Sequence, residues 1–242
     1  AGGMMSGRRK EETVSNDLSL VKKLNKALFS PVFGRMGAAL RKISGFFPEL
    51  FCRMRYRSSL YRSSCRIAKY SDLKKDRGAY GEFLVYDALR REKGRWLFNL
   101  YLPKGEEKTE IDALLLSERG IFLLESKNFS GRVYGSVGNP EWFHTFETSR
   151  GIKKQRFFNP IMQNSAHKKA LCRLIGREEV IFPMVVFGKN TDLRVQAPKE
   201  YSKELMTLKR LPSAVHSFEK GALEQEEIER LYGVLEPYTR VD

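Results

Sequence analysis

Two apolar runs between residues 111 and 128 carry charged side chains at their ends. The sequence is IDALLLSERGIFLLESKN, and the charged residues near the ends of the runs are Asp112, Glu125 and Lys127. Burying an unpaired carboxylate costs several kcal/mol, which is a large share of a domain's net stability. These residues are therefore candidates for a functional site whose chemistry offsets that cost.

A hairpin in this stretch would bring the three charges together. A turn at residues 117–120 places Asp112 opposite Glu125, and directly opposed residues have Cβ atoms about 4.5–5.5 Å apart on one side of a sheet. Lys127 points to that same side. A divalent cation neutralises two such carboxylates, and hard oxygen ligands suit Mg²⁺ or Mn²⁺. A lysine beside the ion can orient a water or neutralise charge on a phosphodiester, so the spacing fits metal-assisted phosphodiester hydrolysis.

Two more polar residues fall on the apolar faces of expected helices. Residues 76–92 have helical spacing in which Glu82 shares a side with Val85 and Leu89. A second helix is expected from Pro160, with Asn159 as its N-cap, and there Gln163 lies on the side that faces the core. Both side chains are therefore candidates for the same site.

The order of these motifs resembles the nuclease-related domain (NERD), a family of the PD-(D/E)XK restriction-endonuclease-like superfamily. The matching segments are Gly81-Glu82 on a helix, EIDALLLSERGIFLLESKNFSGRV at residues 110–133, and FNPIMQN at residues 158–164. The resemblance covers roughly residues 76–235. One departure from the superfamily's name is Ile111, which stands where a proline would precede Asp112.

The resemblance implies a fold and a set of roles. The fold is an α/β restriction-endonuclease-like core of order αβββαβ, a central mixed sheet flanked by helices. The expected catalytic residues are Glu82, Asp112, Glu125, Lys127 and Gln163. Mg²⁺ or Mn²⁺ would be held by Asp112, Glu125 and the carbonyl of Ser126, and Glu82 would hold a second ion or an outer-shell water. Lys127 would position the attacking water, and Gln163 would orient the scissile strand.

Positive charge is concentrated in the N-terminal third. The formal net charge is +15, and residues 1–77 hold 18 Lys+Arg against 6 Asp+Glu, a net of +12. We therefore expect a basic, mainly helical N-terminal arm at residues 1–77, disordered over 1–17, followed by the nuclease-like domain at 78–242. Such asymmetry indicates an anionic partner.

Arginines interleaved with aromatic residues between positions 52 and 70 suggest contacts to nucleic acid, DNA in preference to RNA. The expected contact residues are Arg53, Arg55, Arg57, Arg62, Arg66 and Lys69. The same segment also reads as amphipathic helices with a solvated basic face, or as an anchor to an anionic membrane surface.

Several other classes of site find no support in the sequence. Three cysteines without CxxC spacing indicate a reducing compartment, so we expect a cytoplasmic protein, peripheral to the membrane if the arm binds lipid. No apolar run approaches the roughly 20 residues of a spanning helix. The three histidines have no metal-ligand spacing, and the glycines lack the Lys-Ser/Thr of a phosphate-binding loop.

Alternative readings of the site residues stay open at this point. Asp112 and Glu125 could form a structural carboxylate network, Lys127 could pair with Glu110, and Gln163 could be a satisfied polar residue in a helix interface. The rival function is a nucleic-acid-binding protein that kept a nuclease fold without turnover. Oligomeric state is not indicated by the sequence.

Overall fold

The computed structural model describes residues 48–239. The chain divides into two compact units, residues 1–54 and 55–242. In the first unit the described residues, 48–54, are helical. The expected disorder over 1–17 and the basic helices expected from Leu18 to residue 47 lie outside the described residues.

The first sheet of the second unit has the strand order β1-β2-β3-β7-β9. Its strands are β1 (Arg95–Lys104), β2 (Glu107–Ser117), β3 (Gly120–Lys127), β7 (Ile181–Phe187) and β9 (Leu205–Thr207). Strands β1, β2 and β3 are antiparallel, whereas β3, β7 and β9 run parallel, so the sheet is mixed. The predicted mixed sheet is confirmed.

Helices cover this sheet and explain why its central strands are apolar on both faces. The helices of the second unit are α1 (Leu60–Ser64), α2 (Tyr70–Leu73), α3 (Arg77–Leu89), α4 (Pro160–Ile175), α5 (Leu211–His216) and α6 (Gln225–Leu235). The main core joins the sheet to α4 and α6 through residues such as Leu114, Leu123, Leu171 and Leu231. The element order α3-β1-β2-β3-α4-β7 is the predicted αβββαβ core.

Local sequence signals set the ends of the site helices. The Asp76 side chain accepts hydrogen bonds from the amides of Gly78 and Ala79 at the start of α3. Asn159 caps α4 in the same way, with Pro160 in its first turn. Both predicted helix starts are confirmed.

A second sheet has three of its four strands between the hairpin and α4. Its order is β6-β5-β4-β8, from β4 (Gly131–Ser136), β5 (Glu141–Thr148), β6 (Gly151–Phe158) and β8 (Thr191–Gln196). Its inner face packs Val133 and Trp142 against Phe187 of β7. Local sequence patterns do not predict this assembly, because β8 comes from a distant part of the chain.

Residues 55–76 pack onto α3 through buried tyrosines. The Tyr56 ring meets Phe83 edge to face with centroids 5.1 Å apart, and the Tyr61 ring meets Phe98 of β1 in the same way at 5.2 Å. Tyr56 and Tyr61 are 0% and 1% exposed, which makes them part of the core. The part of the predicted arm that follows residue 54 is therefore built into the second unit.

Between residues 48 and 239, no helix has both the length and the apolar character needed to cross a membrane.

Candidate active site

The hairpin of β2 and β3 has the register that the sequence predicted. Leu116 pairs with Ile121 and Ala113 pairs with Leu124, where the pairing of the two strands ends. Asp112 and Glu125 are the next residues on β2 and β3, just beyond that last pair. Asp112 Oδ2 accepts a hydrogen bond of 2.8 Å from the Ser126 amide. The two carboxylates thus share the end of the hairpin.

A glycine on α3 allows Glu82 to approach this end of the sheet. A Cβ atom at Gly81 would lie 2.6 Å from the Cβ of Asn128 and 2.7 Å from the Ser126 hydroxyl, closer than real Cβ atoms come to other heavy atoms. The missing side chain therefore lets α3 lie directly against β3. This close packing explains why a glycine precedes Glu82 in the Gly81-Glu82 motif.

Glu82 is held by a residue from outside the expected site. The Tyr61 hydroxyl donates a hydrogen bond of 2.8 Å to Glu82 Oε2. Burial, and then the adjacent Glu82 carboxylate, raise the pKa of the Tyr61 hydroxyl, so it stays a donor. The sequence does not indicate this role, because Tyr61 lies in a basic segment where aromatic residues suggest stacking on nucleic-acid bases.

Lys127 pairs with Glu125 and with Gln163. Its Nζ donates to Glu125 Oε1 at 2.6 Å and to Gln163 Oε1 at 3.3 Å. Glu110, the alternative partner considered for Lys127, accepts instead from the Tyr101 hydroxyl at 2.9 Å. The arrangement holds the lysine ammonium between a buried carboxylate and the polar residue of α4.

Burial and mutual repulsion disfavour the ionised form of all three acids. The pKa of Asp112 is raised well above its usual range by burial and then by the charges of Glu125 and Glu82. Burial is also the main cause that raises the pKa of Glu125, and Lys127 opposes it. Burial raises the pKa of Glu82, while the Tyr61 hydrogen bond opposes the rise. A site that concentrates unfavourable negative charge has a high affinity for a cation.

The donor set suits a hard divalent cation. Glu125 is 1% exposed, and its Oε2 atom finds no hydrogen-bond partner among residues 48–239. A buried carboxylate oxygen without a partner is costly, and a metal ion removes the cost. Within that same range, however, no three His, Cys, Asp or Glu side chains are gathered closely enough to form a ready-made ion cage. Water and a backbone carbonyl would complete the shell, as Mg²⁺ allows.

A cleft of about 750 Å³ opens beside Glu82. Its walls carry the acids Asp76, Glu82 and Glu110 together with Tyr101 and the predicted contact residue Arg66. Arg66 is exposed, and its charge acts on the Tyr101 hydroxyl. The cleft therefore gives solvent access to Glu82 and places one predicted basic residue at its rim.

The other predicted nucleic-acid contacts divide into two groups. Arg57, Arg62 and Lys69 are exposed on the second unit, and Arg53 is exposed on the first. Arg55 donates from Nε to both carboxylate oxygens of Asp87, at 2.7 and 3.0 Å. We therefore assign Arg55 a structural contact, whereas the exposed residues stay candidates for phosphate binding.

His167 is buried near Lys127 and is uncharged at neutral pH. It is 3% exposed, and burial together with the charges of Lys127 and Lys104 lowers its pKa to about 4. Its Nδ1 atom has no hydrogen-bond partner in the described part of the chain. These surroundings are those of a histidine packed in the interior.

Comparisons with known proteins give one family match and one relative. Residues 77–188 match the family model described as nuclease-related domain (NERD). A protein of Bacillus anthracis described as uncharacterized is 29% identical over 128 residues, which are 52% of this chain and 58% of that protein. The chain thus spans little more than half the length of this relative. No solved structure matches the chain significantly.

Proposed function

Residues 77–188 belong to the nuclease-related domain family, and on that premise we propose that this protein is a divalent-metal-dependent nuclease. The reaction is hydrolysis of phosphodiester bonds, and DNA is the favoured substrate over RNA. The family points to nuclease-like hydrolase activity. Dependence on a divalent metal and the DNA substrate are part of this proposal.

One observation carries the proposal. Glu125 Oε2 is buried without a partner among the described residues, at the end of a hairpin where Asp112 and Lys127 also lie. A purely structural network would satisfy that oxygen, because an unpaired buried acceptor costs about 1–3 kcal/mol. A metal-binding role explains why this oxygen has no partner. It also explains why the fold keeps the burial and the like charges that raise the pKa of Asp112.

Each residue of the site has a separate role in the proposed reaction. Asp112, Glu125 and the carbonyl of Ser126 would hold Mg²⁺ or Mn²⁺, which when bound neutralises phosphate charge and lowers the pKa of a coordinated water. Glu82 would hold a second ion or a water in the outer shell. Lys127 places a positive charge beside Glu125 and toward the position of the attacking water. Gln163 accepts from the Lys127 ammonium and fixes its direction. Tyr61 fixes the carboxylate of Glu82.

Nucleic acid is the partner that the charge distribution favours. Arg66 at the rim of the cleft and the exposed Arg57, Arg62 and Lys69 provide the phosphate contacts in this proposal. An anionic membrane surface remains the alternative partner of the N-terminal arm, and a cytoplasmic location, with or without membrane contact, remains a prediction.

Incubation with linear DNA, circular DNA and RNA tests the proposal. Each substrate is incubated with Mg²⁺, Mn²⁺ or a chelator, and Glu125→Gln protein prepared in parallel detects any contaminating nuclease. We expect divalent-dependent cleavage by the wild type and none by the variant. Tight binding without cleavage in either metal would favour the alternative, a nucleic-acid-binding protein on a nuclease fold.

A further inference from the structure

The second sheet carries a row of arginine and aromatic residues across all four of its strands. Arg156 of β6 pairs with Phe143 of β5, Phe143 pairs with Tyr134 of β4, and Tyr134 pairs with Arg194 of β8. Residues directly opposed in neighbouring strands place their side chains on the same face of a sheet. The four side chains therefore form one continuous row, with the two rings at its centre.

This face of the sheet points to solvent. The alternate residues Val133 and Trp142 are fully buried against the core, so Tyr134 and Phe143 lie on the opposite side. Tyr134 is 38% exposed, and the side chains of Arg156 and Arg194 are 70% and 64% exposed. An aromatic pair at the centre of an open sheet is costly in water unless something covers it.

Cations surround the aromatic pair. Lys154 Nζ lies 4.0 Å from the centroid of the Phe143 ring, within cation–π distance. The charged residues of this face are the basic Arg132, Lys154, Arg156 and Arg194 and the acidic Glu141, Glu147 and Asp192. The four basic residues exceed the three acidic ones, and Arg156 and Arg194 stand at the two ends of the row.

The acidic residues form only weak ion pairs with the arginines, so the arginines stay able to bind phosphate. Arg156 pairs with Glu141 at 3.2 Å, and Arg194 pairs with Asp192 at 3.0 Å. Exposed ion pairs of this kind contribute about 0–1 kcal/mol. A phosphate can therefore replace the carboxylate at little cost, and the guanidinium groups are already positioned beside the rings.

We propose that this face is a binding surface for single-stranded nucleic acid. Two bases stack on Tyr134 and Phe143, the Lys154 ammonium leaving the Phe143 ring for a phosphate, and Arg156 and Arg194 contact the phosphates on either side. A base has a π face whatever its identity, so the surface would be tolerant of sequence. A duplex cannot use it in this way, because its bases are already stacked on one another.

The surface lies within reach of the candidate active site and does not depend on it. Tyr134 follows Lys127 by seven residues, which span at most about 25 Å when fully extended. One oligonucleotide could therefore contact both. Binding to the sheet requires no metal and no cleavage, so the inference holds even if the proposed nuclease activity does not.

Binding of a fluorescent oligothymidylate to the full chain in chelator tests the inference. Removing one stacking aromatic should weaken binding by about 5- to 150-fold, so Tyr134→Leu is expected to bind at least about 5-fold more weakly. Tyr134→Phe keeps the ring and should bind like the wild type. Measurements at several salt concentrations separate stacking from phosphate contacts, because the loss at Tyr134→Leu persists at high salt.

Controls distinguish this surface from other causes of binding. Ile152→Ala removes a 75% exposed apolar side chain from the same sheet and should leave affinity unchanged. A duplex of the same length should bind Tyr134→Leu and wild type equally. Equal single-strand affinities of Tyr134→Leu and wild type would overturn the inference. A change in oligomeric state with unchanged affinity would also overturn it and make the face a contact between copies of the chain.

Discussion

Tyr61, which precedes the residues matched by the family model, donates a hydrogen bond of 2.8 Å to Glu82 inside them. The tyrosine ring is buried against Phe83 and Phe98, so its hydroxyl has a fixed direction. The contact links the segment before α3 to the candidate active site. It also opposes the rise in the pKa of Glu82 that burial causes.

Tyr61→Phe tests whether this contact positions Glu82. The substitution keeps the ring in the core and removes the hydroxyl. Because a hydrogen bond to a charged group is worth about 1.5–3 kcal/mol, we expect kcat to fall on the order of tenfold and the metal concentration for half-maximal rate to rise. Steady-state cleavage across a metal titration measures both.

Tyr56→Phe is the matched control for this test. Tyr56 is equally buried, but its hydroxyl donates to the carbonyl of Ile67 and not to the candidate site. It should lose some stability and keep its kcat. If the Tyr56 and Tyr61 variants show the same loss of stability and the same kcat, the Tyr61 hydroxyl is structural only.

Asp112→Asn and Glu125→Gln should abolish cleavage and raise the melting temperature of the metal-free protein. Each substitution removes a charge whose ionisation the fold disfavours. The amide oxygen of the Asp112→Asn variant would still accept from the Ser126 amide, so the hydrogen bond there is kept. Thermal unfolding with and without Mg²⁺ checks this: we expect added metal to stabilise only the wild type.

The pH dependence of the metal-free protein follows from the same carboxyls. Their pKa values are raised in the folded state, so the unfolded state binds fewer protons above pH 4. The stability contributed by these groups is therefore present at low pH and lost as the pH rises through their folded values. Asp112→Asn should flatten that decline, and an unchanged slope would contradict the assignment.

Lys127→Ala should reduce the cleavage rate by about 10²–10³-fold, the scale of one electrostatic contact to a transition state. Without the ammonium the pKa of Glu125 rises further, because Lys127 is the main group that opposes its rise. Rates measured per folded molecule, with metal binding followed separately, test this prediction.

Glu110→Ala is the control that separates catalysis from structure. Glu110 hydrogen-bonds to Tyr101 at the surface of the cleft and was the alternative partner of Lys127. We expect near wild-type stability and rate for this variant. Parallel losses of stability in the Glu110 and Lys127 variants, with unchanged rate per folded molecule, would indicate a structural ion pair instead.

The sequence predicted the hairpin and missed what lies around it, for physical reasons. The pairing of Leu116 with Ile121 follows from a period of two and a short turn, which are local properties. The contact between Tyr61 and Glu82 joins two elements whose relative placement depends on packing. The row through Tyr134 and Arg194 depends on which strands become neighbours, and β8 lies about 60 residues from β4.

Deleting residues 1–54 should weaken nucleic-acid binding and leave the maximal cleavage rate similar. These residues hold 10 Lys+Arg and 4 Asp+Glu, a net of +6, which is half of the charge counted in residues 1–77. Phosphate contacts give a log–log salt slope of about −0.9 per neutralised phosphate on duplex DNA, so the slope should become shallower. Binding across salt concentrations and retention on anionic liposomes are measured together.

Deleting residues 1–70 should, in contrast, also destabilise the fold. It removes Tyr56 and Tyr61 from the core, and losing one large buried aromatic side chain costs about 3–5 kcal/mol. We therefore expect residues 55–70 to be needed for a stable fold. If the 1–54 deletion keeps the wild-type salt slope and loses liposome binding, residues 1–54 are a membrane-surface anchor instead.

His167 should make the protein less stable in mild acid. Its pKa falls to about 4 in the folded state because of burial and the nearby Lys127 and Lys104 charges, whereas an unfolded histidine titrates near 6.5. Between these values the unfolded state binds the extra proton, so this contribution to stability is full above about pH 6.5 and declines as the pH falls toward 4.

Comparison of the wild type with His167→Gln isolates that contribution. The carboxyls of the site act with the opposite sign over the same pH range, so only the difference between the two proteins is informative. We expect the free energy of unfolding of the variant minus that of the wild type to be larger at pH 5 than at pH 7 by on the order of 1–2 kcal/mol, which means that the variant gains relative stability in acid. Denaturant unfolding at both pH values measures it. Because the glutamine has no titrating group, parallel curves for the two proteins would mean that His167 is protonated as readily in the folded state as in the unfolded chain.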